Sequence, residues 1–206
     1  MTRRLRVGVL ASGRGSNLEA ILAAADTSDF PAEVVLVVSD REQAVALGRA
    51  RRRQVPAVFL DPKAHGDRDA YDASLLALLR ENRIELVCLA GFMRILSPAL
   101  VRGFQGRILN VHPSLLPAFP GLAAQRQALE YGVKVAGATV HFVDEGIDTG
   151  PIVLQASVSV LPDDTEASLS ARILAEEHRL YPEAIRLFAT GRLRIAGRRT
   201  LVEATG

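Results

Sequence analysis

Leu5-Arg6-Val7-Gly8-Val9-Leu10-Ala11-Ser12-Gly13-Arg14-Gly15-Ser16-Asn17-Leu18-Glu19-Ala20-Ile21 reads as a strand, a glycine turn and the start of a helix. Leu5–Leu10 is a short apolar run rich in Val, as a buried strand requires. Ser16–Ala25 has helical spacing and ends near Thr27-Ser28-Asp29. Glycines in such a turn let the backbone approach an anion, and the helix N-terminus offers N–H groups and a positive dipole end. A phosphate is the natural ligand; a tight turn without a ligand is the plainer alternative. The dinucleotide fingerprint fails because Leu18 stands where its third glycine belongs, and no Gly-Lys-Ser/Thr follows to make a P-loop.

The pattern repeats outward from this unit. Glu33–Val38 is a second β-branched run, Arg41–Arg53 a helix with a basic end that suits its dipole, and Ala57–Leu60 a brief strand. Asp67 can cap a helix over Arg68–Asn82; Leu86–Leu89 and Arg107–Val111 are further strands. Strands alternating with helices imply βαβ units and a parallel sheet. The second half differs. Leu122–Tyr131 reads as a helix closed by Gly132, and Ala138–Val143 and Ile152–Val160 as strands joined by a Gly/Asp-rich loop, at least partly antiparallel. Asp163 with Glu166 suggests a capping box opening a long helix interrupted near Pro182, and the tail from Gly191 a small hairpin or a loose end. The expected fold is α/β: one domain, residues 1–206, a Rossmann-like open twisted sheet, mostly parallel with antiparallel late strands and helices on both faces.

Composition narrows the class. With 206 residues, 49% hydrophobic and 23% charged, the chain can build a sizeable core. A net charge of +2 argues against a nucleic-acid partner. The single cysteine, Cys88, allows no internal disulfide and fits a reducing compartment. No stretch has the length of a membrane span, and a soluble cytoplasmic protein is expected.

The chemistry gathers at Ile108-Leu109-Asn110-Val111-His112-Pro113-Ser114-Leu115-Leu116-Pro117. In an extended strand residues i and i+2 share a face, so Asn110 and His112 project side by side, and Pro113 keeps His112 extended. Ligands of open α/β sheets sit outside the carboxyl ends of strands, where both this pair and the Gly13 turn fall. Asp148, in the late Gly/Asp-rich loop, would favour the imidazolium if it reached His112. That makes an acid catalyst or oxyanion stabiliser. No nucleophile stands out: Cys88 lies in an apolar strand, and Pro113 separates Ser114 from His112. Direct transfer between two bound substrates suits this set better than a covalent intermediate. A metal on His112, Asp148 and His141 lacks ligand spacing, and none is expected.

Four segments carry a family resemblance, in order: Gly13-Arg14-Gly15-Ser16-Asn17-Leu18, Leu89-Ala90-Gly91-Phe92-Met93-Arg94-Ile95-Leu96-Ser97, Leu109-Asn110-Val111-His112-Pro113-Ser114-Leu115-Leu116-Pro117 and Thr139-Val140-His141-Phe142-Val143-Asp144-Glu145-Gly146-Ile147-Asp148-Thr149-Gly150-Pro151. Together they resemble the folate-dependent phosphoribosylglycinamide formyltransferases of de novo purine synthesis, over nearly the whole chain. The resemblance implies that Gly15, Ser16 and Asn17 bind the phosphate of glycinamide ribonucleotide and Glu177 its ribose. It implies that Arg68, Met93, Arg94, Ile95, Leu96 and Asn110 contact the co-substrate 10-formyltetrahydrofolate. It makes Asn110, His112 and Asp148 the catalytic set. Small-molecule partners, no nucleic acid, no membrane, and a monomer or weak homodimer follow from it. One departure is plain: where some members carry histidines after Pro120-Gly121-Leu122, this chain has Ala123-Ala124-Gln125.

Rival readings each miss something. A methionyl-tRNA formyltransferase would need a further tRNA-gripping domain, and a formyltetrahydrofolate deformylase an N-terminal regulatory one. A nucleotide-sensing module would have no need of Asn110, His112 and Asp148 together. An NAD enzyme could use Asp40 after the second strand, but Leu18 argues against it.

Overall fold

β1 (Leu5–Leu10) runs through the middle of a parallel sheet, and its Val7, Val9 and Leu10 are buried. The computed structural model describes residues 3–204. The chain forms two compact units, Met1–Leu109 and Asn110–Gly206. In the first, β1 is followed by α1 (Ser16–Ala25), β2 (Ala32–Ser39), α2 (Val45–Arg52), β3 (Ala57–Phe59), α3 (Arg68–Glu81), β4 (Leu86–Leu89) and α4 (Pro98–Gly103). The strand order is β3-β2-β1-β4, every pairing parallel. Strands buried on both faces read as continuous apolar runs, which is why β1, β2 and β4 were so visible in sequence. Tyr71, Leu75 and Leu79 form one buried stripe on α3 at four-residue spacing. Asp67 caps α3 as expected, accepting the Ala70 N–H at 2.8 Å. α2 begins at Val45, later than the expected Arg41, because residues 41–44 form a turn.

β5 (Ile108–His112) carries the chain from one unit to the other. The second unit continues with α5 (Ala124–Tyr131), β6 (Val135–Phe142), β7 (Ile152–Ser159), α6 (Glu166–Ala189), β8 (Leu193–Ala196) and β9 (Arg199–Val202). Its order is β6-β7-β9-β8, with β6/β7 and β8/β9 antiparallel and β7/β9 parallel. The α/β alternation, the early parallel pairing and the late antiparallel strands are all present, and the tail is a hairpin.

Three further local expectations need correction. α5 starts two residues later than expected, since Ala123 is left-handed (φ 55°). α6 is capped by Thr165 with Ser168, not by Asp163 with Glu166; Asp164 instead pairs with Arg172 at 2.9 Å. α6 also runs unbroken through Pro182. A proline inside a helix costs about 3 kcal/mol, but Ile173, Leu180, Tyr181, Ala184, Ile185 and Leu187 are all buried around it. Each of the buried Ile and Leu side chains contributes about 1.5–3 kcal/mol, so packing outweighs the lost bond. Among the described residues no helix is long and apolar enough to cross a membrane.

Gly15 is the tightest point of the first unit. It is left-handed (φ 69°), and a Cβ there would lie 2.8 Å from the Ala46 Cβ. A left-handed non-glycine residue costs roughly 1–2 kcal/mol, and overpacking roughly 1–3 more. Gly15→Ala should therefore lower unfolding free energy by about 2–5 kcal/mol in urea denaturation; a change under about 0.5 kcal/mol would contradict the geometry.

Candidate active site

In the second unit, β5 delivers Asn110 and His112 to one face, two residues apart, as strand geometry demands. Asp148 reaches them from the β6–β7 connection. Its Oδ2 lies 3.4 Å from His112 Nδ1 and accepts the Gly121 N–H at 2.8 Å. Its Oδ1 lies 3.5 Å from Asn110 Nδ2 and 3.6 Å from His141 Nε2. The last distance is an electrostatic contact, too long for a hydrogen bond. Asp148 holds this position in the left-handed region (φ 53°), which Asp tolerates better than most residues.

His112 is buried, and an acceptor faces each of its nitrogens: Asp148 at Nδ1, and the Phe119 carbonyl at Nε2, 2.8 Å away. A carbonyl only accepts, so Nε2 carries hydrogen, and the imidazolium satisfies both partners. His141 donates from Nδ1 to the Phe142 carbonyl at 2.8 Å. Its Nε2 edge lies 3.2 Å from the Asn110 amide nitrogen. Burial pushes the Asp148 carboxyl up, but the His141 ring, the Gly121 N–H and the charge of His112 outweigh it, and the group is held below its ordinary range.

His141 belongs to this cluster as closely as Asn110 does. Sequence reasoning weighed it only as a metal ligand. The signal lay in Thr139 and His141, polar at alternate positions of an otherwise apolar strand. A register slip at Val140/His141 helps to aim it: Val140 pairs with Leu154 but His141 with Ile152, and bulges commonly re-aim side chains beside active sites. Ser114 is ruled out as a nucleophile activated by His112, because its hydroxyl donates to the Ala118 carbonyl at 2.5 Å. Cys88 is buried within β4. Among the described residues no three His, Cys, Asp or Glu side chains form a metal-ligating group.

The first unit holds the other expected residues. Gly15 precedes α1, and Ser16 and Asn17 form its first turn. The turn is pinned through its carbonyls: Ala46 N–H donates to Gly13 at 3.1 Å and Arg49 Nε to Arg14 at 2.9 Å. Ser12 ties this turn to the loop after β4, its N–H donating to the Gly91 carbonyl (3.1 Å) and its Oγ accepting the Met93 N–H (2.9 Å). Met93 and Ile95 are exposed, at 63% and 59%, while Leu96 is buried. The Arg94 guanidinium lies 4.5 Å over the Tyr71 ring. Arg68, exposed, sits one turn before Tyr71 on α3. The structure thus brings the Gly15–Asn17 turn to the Met93–Leu96 loop, and that loop to the start of α3. Glu177 is buried on α6 in the second unit.

A family model described as formyl transferase matches residues 5–185. The chain belongs to the formyl transferase family. It is 45% identical to phosphoribosylglycinamide formyltransferase of Escherichia coli K12, over 93% of this chain and 90% of that protein. The solved structure of glycinamide ribonucleotide transformylase 1 from Symbiobacterium toebii is 56% identical, with a TM-score of 0.97, covering 99% of this chain and 96% of that one. The trifunctional purine biosynthetic protein adenosine-3 of Drosophila melanogaster is 49% identical over 92% of this chain, which spans only 14% of that longer protein.

The lowered Asp148 carboxyl gives a pH signature with a fixed sign. A carboxyl depressed in the fold contributes stability that is fully present above its unfolded pKa, about 3.9, and lost as pH falls through the folded value. Asp148→Asn keeps the left-handed backbone. The margin in melting temperature between the native chain and this variant should stay level from neutral pH to about pH 5, then shrink as pH falls below about 4. A margin that grows on acidification would contradict the assignment.

Proposed function

We propose that this chain transfers the formyl group of 10-formyltetrahydrofolate to the amine of glycinamide ribonucleotide, giving N-formylglycinamide ribonucleotide and tetrahydrofolate. One observation carries the reading: a buried imidazole with an acceptor at each nitrogen, backed by a carboxylate, beside an Asn amide and with no nucleophile activated by His112. Such a set stabilises a transient anion and forms no acyl-enzyme. Residues 1–206 are read as one formyltransferase domain, acting in the cytoplasm on small molecules, as a monomer or weak homodimer.

The substrate amine attacks the formyl carbon, and the carbonyl π electrons move onto oxygen. Asn110 Nδ2 and the His112 imidazolium stabilise that oxyanion. The Phe119 carbonyl now accepting from His112 Nε2 is a neutral acceptor; an oxyanion makes a charge-assisted bond about twice as strong, so exchanging one for the other is favourable. Asp148 keeps the ring charged and orders the water that carries the ammonium proton to the folate N10, whose bond to carbon then breaks. Gly15, Ser16 and Asn17 hold the phosphate at the start of α1, and Glu177 the ribose. Arg68, Met93, Arg94, Ile95, Leu96 and Asn110 hold the folate, Met93 and Ile95 offering the exposed apolar surface a pterin needs. Holding both reactants aligned supplies about 7–11 kcal/mol of such a barrier.

An assay with both substrates should yield the formamide in proportion to tetrahydrofolate. Formyl-folate hydrolysis that is indifferent to the acceptor would point to a deformylase instead. His112→Ala should cut kcat by roughly 10²–10⁴ and leave ribonucleotide affinity within about twofold by calorimetry. Loss of that affinity would give His112 a binding role.

A further inference from the structure

The catalytic imidazole rests on a loop, residues 113–123, whose shape is not self-sustaining. Phe119 (φ 51°) and Ala123 (φ 55°) both lie in the left-handed region, and such residues persist only where their surroundings over-determine them. Within the loop, Ser114 Oγ donates to the Ala118 carbonyl and the Ala118 N–H to the Leu115 carbonyl at 3.0 Å. The remaining constraint comes from outside. Asp148 takes the Gly121 N–H at one end, and at the other the loop is seated on β6 and β7.

That seat is made by two cross-strand partners. Thr139 on β6 pairs directly with Gln155 on β7, so their side chains are neighbours on one face. The Thr139 hydroxyl, fully buried, has no capacity left. It donates to the Ser114 carbonyl at 2.6 Å and accepts from the Leu116 N–H at 3.1 Å and Gln155 Nε2 at 3.0 Å. Gln155 Nε2 gives its other hydrogen to the Leu116 carbonyl at 2.9 Å. Both polar groups of Leu116 are thereby clamped. Two residues back on the same face, a Cβ on Gly137 would lie 2.7 Å from Leu115 Cδ2, so the glycine lets the loop come down onto the sheet.

We propose that Gln155 is a positioning residue for the reaction: with Thr139 it seats Leu116 on the β6–β7 pair and so sets the course of the loop that brings the Phe119 carbonyl to His112 and the Gly121 N–H to Asp148. The inference rests on the reading of His112 as the oxyanion stabiliser. Gln155 itself bonds none of Asn110, His112 or Asp148. As a side chain on the exposed side of β7 it would be freely replaceable if it served only solvent. Both amide hydrogens point inward instead.

Gln155→Leu keeps the volume and removes both donors. We expect kcat to fall roughly tenfold, since small misplacements near the reacting atoms are amplified, with KM for the ribonucleotide within about twofold and melting temperature nearly unchanged. Thr139→Val should copy this loss, Thr139→Ser should rescue it, and the Gln155→Leu/Thr139→Val double variant should be no worse than the weaker single, because both remove one clamp. In a His112→Ala background, Gln155→Leu should add little. An unchanged kcat in Gln155→Leu, a loss that tracks a collapse in melting temperature, or a full tenfold effect persisting without His112 would each overturn the proposal. If His112→Ala itself keeps full turnover, the reading of His112 fails whatever Gln155 does; if it cripples turnover while Gln155→Leu does not, only the positioning role is lost.

Discussion

One half-buried carboxylate organises the catalytic cluster of the second unit. The Asp148 side chain is 12% exposed, and an ion so placed is several kcal/mol worse off than in water unless it is paired. Its partners come from three directions: His112 and Asn110 on β5, His141 on β6, and the Gly121 N–H in the loop before α5. Removing any of them leaves charge unanswered. The carboxylate therefore does two jobs at once, holding the reactive ring and fastening the loop whose carbonyl touches that ring's far edge.

The first unit works on different terms. Its functional loops are held by backbone bonds, one hydroxyl and the guanidinium groups of Arg49 and Arg94. Ser12 joins the turn after β1 to the loop after β4, so a segment suited to an anion and a segment suited to an aromatic heterocycle share one brace. α2 holds the Gly13 and Arg14 carbonyls of that turn through the Ala46 N–H and the Arg49 side chain. The loop after β4 stays half open at Met93 and Ile95 because its packing is carried by Leu96, Phe92 and the Arg94–Tyr71 stack.

Sequence was most informative where a feature is local and periodic. The β1–turn–α1 unit, the i/i+2 pair Asn110–His112 and the Asp67 cap depend only on neighbours, and all three stand where their spacing put them. Asp148 was found from loop composition and family likeness, since nothing within a few residues of it says it folds back to β5. His141 was harder, because a bulge decides where it points. Thr165 rather than Asp163 caps α6, and Asp164 beside it pairs with Arg172, a contact eight residues away. Gln155 carried no signal; its partners, Leu116 and Thr139, lie 39 and 16 residues distant, and only strand register puts them together.

Pro182 in the middle of α6 has a consequence for the residues one turn earlier. A helical carbonyl is normally answered by the N–H four residues on. The residue four after His178 is Pro182, which has none, so the His178 carbonyl is left without its regular partner beside the buried Glu177.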